Sequence, residues 1–469
     1  MLAYAFSRGL SLVGTLALAR LLAPDDLGAF FTGMVVVGVV NLLGDTGLGL
    51  VLVLKEELEP AFRGTVLVCM LAVAVTLAGV LTALAGPIGG LFGSDRVGDV
   101  IPGLALAAVF TTVAYFYLSL LQREMLFQRR FAGQFAQAIV YVGVAVPLAI
   151  ADAGIWSLVA GMLGGNLASA VVLWRLTPRT PFAVDLGLVR GAYREARPFV
   201  SQAVTAFLSY NAHYLAVAGV LGSRAMGVYS MSFRLAELPN LALTVPVSQA
   251  VLPAYAQLRD EHERRRRALL TSLQYVALIG FPLIFGMAAL ADPFQEAVLG
   301  PKWEALPPIL TVLAAWGAVS MVTGTISWFI NASGGGAWLA KVYTAMLLIV
   351  PAAFAVAAIF DSSVAVGVLL LVGISAELVV LLRYVQRQFG FGLSAFVGAL
   401  GTALIAGVAL AAAGVAAWLL TQSAGAAAVV ELTAGVVAGG AAYIGTIVLL
   451  DRSLLSRGVE LARRSLESA

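Results

Sequence analysis

Arg8, Asp45, Arg234 and Glu237 stand inside long apolar stretches of this chain. A charge at membrane depth costs about 2.5–3.5 kcal/mol on insertion scales, so a side chain kept there is a candidate for chemistry. A guanidinium offers donors in a flat fork that suits a phosphate or a carboxylate. A carboxylate there can cycle a proton or a sodium ion, because burial favours its neutral form. Each also has a plainer use. Arg234 and Glu237 are three residues apart on one helix face and would form an ion pair. Arg8 would snorkel to the nearer membrane face. Asp45, in Gly44-Asp-Thr-Gly47, would stabilise a glycine-rich kink. Asn211 and His213, with Tyr210 and Tyr214 beside them, and the pair Asn41 and Asn240, would line a cavity or satisfy a neighbouring helix.

These residues need helices to hold them at depth. Roughly fourteen apolar stretches of about twenty residues fill the chain, and that length at 1.5 Å per residue crosses the ~30 Å hydrocarbon layer. The expected helices are 2–22, 27–53, 63–86, 99–121, 133–151, 154–174, 198–221, 226–256, 268–291, 305–330, 337–360, 363–386, 394–420 and 427–450. Breakers separate them, among them Pro24, Pro87, Pro178, Pro198, Pro293 and Gly390. Charged residues make up 11% of the chain, under half the usual share of a soluble domain, and the mean hydropathy is +0.97. The 49 glycines favour close packing of membrane helices.

The same inventory excludes other classes. A net charge of +3, with the basic residues in loops, points to topology and not to nucleic acid. One cysteine, Cys69, cannot form an intrachain disulfide, and His213 and His262 lie in separate segments, so no metal centre is expected. Gly89-Gly-Leu-Phe-Gly93 lacks the Gly-Lys-Ser/Thr of a phosphate-binding loop. Asn331-Ala-Ser333 matches a glycosylation sequon but falls on the expected cytoplasmic side. The loops are too short for a catalytic domain; no catalytic residue and no cofactor is expected, and the chain is read as no enzyme. There is no cleavable signal pattern, and the chain starts inside its first apolar stretch, so a start slightly upstream is expected.

Orientation follows from lysine and arginine. With the N-terminus in the cytoplasm, 22 of the 28 basic residues fall on the cytoplasmic side, including Arg123 and the run Arg264–Arg267, read as an anchor touching anionic lipid. Arg20, Arg96, Arg224 and Lys302 fall on the other side. Both termini are therefore expected inside, with an even helix count. An internal repeat runs at an offset of 199 residues: Leu22–Phe30 aligns with Leu221–Tyr229, Gly28 meets Gly227, and Asn41 meets Asn240. Six helices is an even offset, so the repeats share orientation. The expected division is an N-terminal lobe 1–178, a cytoplasmic linker 179–197, a C-terminal lobe 198–388, and a last segment 389–469 with two more helices and a cytoplasmic tail.

Leu18-Ala-Arg-Leu-Leu-Ala-Pro-Asp-Asp-Leu-Gly28, Leu43-Gly-Asp-Thr-Gly-Leu-Gly49, Gly227-Val-Tyr-Ser-Met-Ser-Phe-Arg234, Leu252-Pro-Ala-Tyr255 and Leu299-Gly-Pro-Lys-Trp303 together resemble the polysaccharide transporter family of the multidrug/oligosaccharidyl-lipid/polysaccharide flippase superfamily. The resemblance covers the whole chain through soft glycine, proline and aromatic positions. It implies an all-α polytopic membrane protein, with two six-helix lobes in a V around a central cavity plus two C-terminal helices. It implies a flippase in the bacterial inner membrane that moves undecaprenyl-diphosphate-linked oligosaccharide to the outer leaflet by alternating access, driven by an ion gradient or the membrane potential. The partners it implies are membrane lipid and the polymerase and glycosyltransferases of the same surface-polysaccharide pathway. The other reading is a multidrug or small-metabolite exporter of the superfamily. In the family's terms Arg234 and Arg8 would hold the diphosphate. Asn211, His213, Asn41 and Asn240 would touch sugar, and Asp45 and Glu237 would couple an ion.

Overall fold

The computed structural model describes residues 2–45, 47–55, 57–178, 183–257 and 261–451. Among them the backbone is helical and loop, with no strand. In a bilayer this is the economical solution, because a helix satisfies its own N–H and C=O groups where no water can. The chain forms two compact units, Met1–Gly227 and Val228–Ala469.

The first unit opens with α1 (Leu2–Leu21), α2 (Pro24–Asp45), α3 (Leu48–Leu54), α4 (Pro60–Ala83) and α5 (Ala85–Leu91). It continues with α6 (Asp95–Arg123), α7 (Phe127–Ile150), α8 (Ile155–Leu176) and α9 (Val189–Ala216), which ends in a wider turn over Val217–Leu221. Pro24 and Pro60 each open a helix, where the missing N–H costs nothing. Asp25 and Asp26 face the positive end of α2, and Asp26 accepts a bond from the Arg96 guanidinium at 2.8 Å, tying the starts of α2 and α6.

The second expected span, 27–53, is interrupted. α2 stops at Asp45, Gly47 takes φ 68°, a conformation that favours glycine, and α3 resumes at Leu48. The last carbonyls of α3 are met from α6. The Arg123 guanidinium donates to Leu52 O at 3.1 Å and to Lys55 O. At the centre of this unit α6 packs on α2, α4, α5 and α8, with Phe116, Leu120 and Leu121 set among Leu52, Val66, Met70 and Leu173.

α10 (Gly222–Gln257) spans the boundary between the units. The second unit then holds α11 (His262–Ala289), α12 (Ala291–Phe294) with a wider turn over Gln295–Leu299, α13 (Leu306–Ala332), α14 (Gly336–Met346), α15 (Ile349–Phe360), α16 (Ser363–Phe389), α17 (Leu393–Ser423) and α18 (Ala428–Leu450). Ser362 caps α16 by accepting from Ala365 N, and Gly390 ends it at φ 67°. α13 packs on α11 and α16, and α17 packs on α11 and α18. The Tyr443 hydroxyl of α18 donates to Leu278 O of α11 at 2.7 Å, and Trp418 Nε1 of α17 donates to Glu431 of α18 at 3.1 Å. The last two helices are thereby fastened onto α11.

The element order repeats. In each unit a long helix (α4, α11) leads to a short one (α5, α12), then to a central span (α6, α13) that packs on the long helix and on a later one (α8, α16). Each of the fourteen expected apolar segments lies in helical structure. Among the described residues, eleven helices are long and apolar enough to cross a membrane. The members of the run Arg264–Arg267 have different surroundings. Arg265 is buried, its guanidinium over the rings of Phe389 (4.8 Å) and Phe329 (5.9 Å), while Arg264 and Arg266 pair with Glu261 and Glu263. The cation–π contacts close the end of the second unit's core.

Candidate functional site

In the second unit α10 is held against α13 on one face. Phe233 stacks on Trp316 with centroids 4.7 Å apart. Gly317 admits the backbone of α10, since a Cβ there would meet Ala236 O at 2.8 Å. Asn240 Nδ2 donates to Ser320 Oγ at 3.2 Å. Tyr229, Met231, Ser232, Phe233, Leu235 and Ala236 are consequently buried. Arg234 is exposed and Glu237, one turn on, is half-buried. Arg234 stands twelve residues beyond Gly222, about 18 Å along the helix axis.

The first unit holds the neutral candidates. Asn211 Nδ2 donates back to Phe207 O at 2.9 Å, a bond within its own helix. His213 is buried, its ring 4.2 Å from that of Tyr214 and 6.4 Å from that of Tyr210. These contacts all lie within α9. Asn41 is half-buried, and its Oδ1 is a buried acceptor that no donor meets among the described residues. It stands one turn from Gly38, where α2 touches the Phe207 ring of α9. The side chains of Arg8 and Asp45 lie outside the described residues. Within each unit, then, polar candidates gather on one helix and its neighbour.

Other polar groups stand at depth without having been expected. In the first unit Gln137 Nε2 donates to Asn166 Oδ1 at 2.7 Å, and Asn166 Nδ2 donates to Thr111 Oγ1 at 2.8 Å and to Ala107 O at 3.1 Å. This network joins α6, α7 and α8 with the Asn166 amide satisfied on both ends. In the second unit Glu377 is buried on α16. Both were discoverable as isolated polar letters inside apolar runs, Asn166 in 155–176 and Glu377 in 363–382. A groove of about 590 Å³ opens at the start of α9, lined by Gly187, Arg190, Gly191, Tyr193 and Arg194. Among the described residues no three His, Cys, Asp or Glu side chains stand together as metal ligands.

An all-helical chain whose long apolar helices cross the bilayer many times, with polar side chains at half-depth, is a multi-pass membrane protein. More narrowly, it belongs to the family described as "Polysaccharide biosynthesis protein", which matches residues 17–308. It is 27% identical to the "Succinoglycan biosynthesis transport protein ExoT" of Rhizobium meliloti (strain 1021), over 97% of this chain and 92% of that protein. Its fold is similar to that of "Lipid II flippase MurJ, inward closed conformation" (TM-score 0.76, 15% identity, 97% of this chain and 99% of the other). It is also similar to an inward-facing multidrug resistance MATE family transporter of the MOP superfamily (TM-score 0.62, 15% identity, 81% and 94%). At such identities these likenesses show the fold alone. The family and the helical fold read from the sequence motifs are borne out.

Proposed function

We propose that this protein is a flippase. It moves undecaprenyl-diphosphate-linked oligosaccharide repeat units from the cytoplasmic to the outer leaflet of the bacterial inner membrane, by alternating access, for surface polysaccharide synthesis. The observation that carries this reading is the end-to-end similarity to a protein named for transport in succinoglycan biosynthesis. The similarity to the multidrug transporter's fold covers less of the chain, 81% against 97% for the lipid II flippase.

In this reading Arg234, exposed on α10, offers paired N–H donors to the diphosphate, and Arg8 assists it from α1. Asn41, with its unmet acceptor, is suited to a sugar hydroxyl. Asn240, Asn211 and His213 reach the sugar only if their present bonds and ring contacts open. Asp45 and Glu237 are candidates for the coupling ion. Lobes 1–178 and 198–388 move about the linker 179–197, with 389–469 as an appended pair of helices and a tail. Both termini face the cytoplasm. The surrounding lipid and the pathway's polymerase and glycosyltransferases are the partners.

The test is the fate of lipid-linked oligosaccharide in cells lacking the gene. Undecaprenyl-linked repeat units should accumulate while surface polysaccharide disappears, and their mass identifies the cargo. Normal surface glycan with altered sensitivity to cationic drugs would overturn the proposal in favour of an exporter.

A further inference from the structure

Glu377 is the only ionisable residue between Asp361 and Arg383. It stands at the middle of the 27-residue helix α16 and is 8% exposed. α16 packs on α13 and on α15. The span that contains α15 is interrupted, because α14 stops at Met346 and α15 starts at Ile349. At the interruption Leu347 and Leu348 donate to Thr344 O and Ala345 O, the shorter i to i−3 bond, both at 3.2 Å. Gly373, one turn before Glu377 on the same face of α16, lies against the first residue of α15, where a Cβ would meet Ile349 Cδ1 at 2.8 Å. The carboxylate is thus level with the break. Tyr343, in the last turn of α14 and 40% exposed, lies near Glu377 and beside Ser327 of α13, whose Oγ is buried.

Among the described residues no cation offsets this carboxylate. α13 and α15 contain no ionisable side chain. α14 contributes only Tyr343 and Lys341, and Lys341 is exposed. On α16 itself the nearest charge, Arg383, is exposed and six residues away, about 9 Å along the axis. Among the described residues no ion pair involves Glu377. Binding and releasing a proton is one use that intramembrane carboxylates have in pumps and transporters. A metal cation would ask for a cage of several oxygens, and a single carboxylate with two hydroxyls does not make one. Interrupted helices at half-depth are also where membrane transporters place their coupling-ion sites.

We propose that Glu377, with Tyr343 and Ser327, is a proton-binding site in the second unit, loaded and emptied through the interrupted span α14–α15. The step is one O–H bond made with a proton from water on one side and broken to water on the other. Its use, to drive the lobe movement, rests on the flippase reading; the protonation itself does not.

Infrared difference spectroscopy of the purified full-length protein in lipid nanodiscs, stepped across neutral pH with no substrate, reads the site directly. The wild type should show a carboxylic C=O band that titrates, and Glu377→Gln should abolish that band. In proteoliposomes carrying lipid-linked oligosaccharide, the same variant should lose its response to an imposed pH difference. Persistence of every titrating band in Glu377→Gln would overturn the proposal, as would a band that responds to sodium at constant pH. Should Glu377→Gln fail to insert, Tyr343→Phe must displace the midpoint of the wild-type band; an unmoved midpoint is equally fatal. Because the band is read without substrate, a protein that shows it and yet moves no lipid-linked oligosaccharide would refute the flippase reading alone.

Discussion

Arg234 and Asn166 both place polar groups at membrane depth, and their surroundings assign them different work. Asn166 is buried and spends its amide on Gln137, Thr111 and Ala107, so it fastens helices. Arg234 is exposed while its chain neighbours Phe233, Leu235 and Ala236 are buried. On the flippase reading, truncation of Arg234 should change transport and not folding. A charge-assisted hydrogen bond contributes about 1.5–3 kcal/mol, which is roughly a 10- to 150-fold change in binding at 1.4 kcal/mol per decade. Arg234→Ala should lose surface-polysaccharide complementation while keeping wild-type membrane levels and melting temperature. Arg234→Lys, which keeps the charge and loses the bidentate geometry, should fall between. Full complementation by Arg234→Ala would remove it from the site. The sequence displayed Arg234 as a candidate because a charge inside an apolar run is visible in one dimension. It could not separate Asn240 and Asn211, whose amides turn out to be engaged with Ser320 and Phe207, from Asn41, whose acceptor is unmet.

At the scale of elements, apolar run length located the long helices but not the short α5 and α12, nor the breaks at Gly47 and at 347–348. Hydropathy reports depth and is nearly blind to a local change of turn, so Gly47 at φ 68° looked like any other glycine in a glycine-rich chain. The basic run Arg264–Arg267 looked uniform for the same reason, although one of its members sits between phenylalanine rings. Alignment of the internal repeat was more informative. It paired Gly28 with Gly227, and within the first unit these two glycines are in direct contact. A Cβ on Gly28 would collide with Ser223 O, and one on Gly227 with Pro24 O. The obstacles are backbone atoms, which cannot swing aside as a side chain would. Gly28→Val should force the starts of α2 and α10 apart, destabilising the protein by at least the ~1–3 kcal/mol of ordinary overpacking. Thermal denaturation in detergent checks this. Gly90→Ala, whose Cβ meets nothing within 4 Å, should melt like the wild type. Equal melting temperatures for Gly28→Val and Gly90→Ala would mean that the close approach carries no energy.

For the whole molecule, orientation is written in the loops and not in the helices. The bias of 22 basic residues to one side therefore makes a prediction independent of the spans' polarity. The single cysteine, Cys69, is buried, so its replacement by alanine leaves a background for single-cysteine labelling. Glu304 and Gln388 are both exposed and are expected on opposite faces. In spheroplasts a membrane-impermeant thiol reagent should label Glu304→Cys from outside, and should label Gln388→Cys only after lysis. The reverse pattern would invert the chain in the membrane. Labelling of both from outside would require an even number of crossings between them, and the even total count that places both termini on one side would then fail with it.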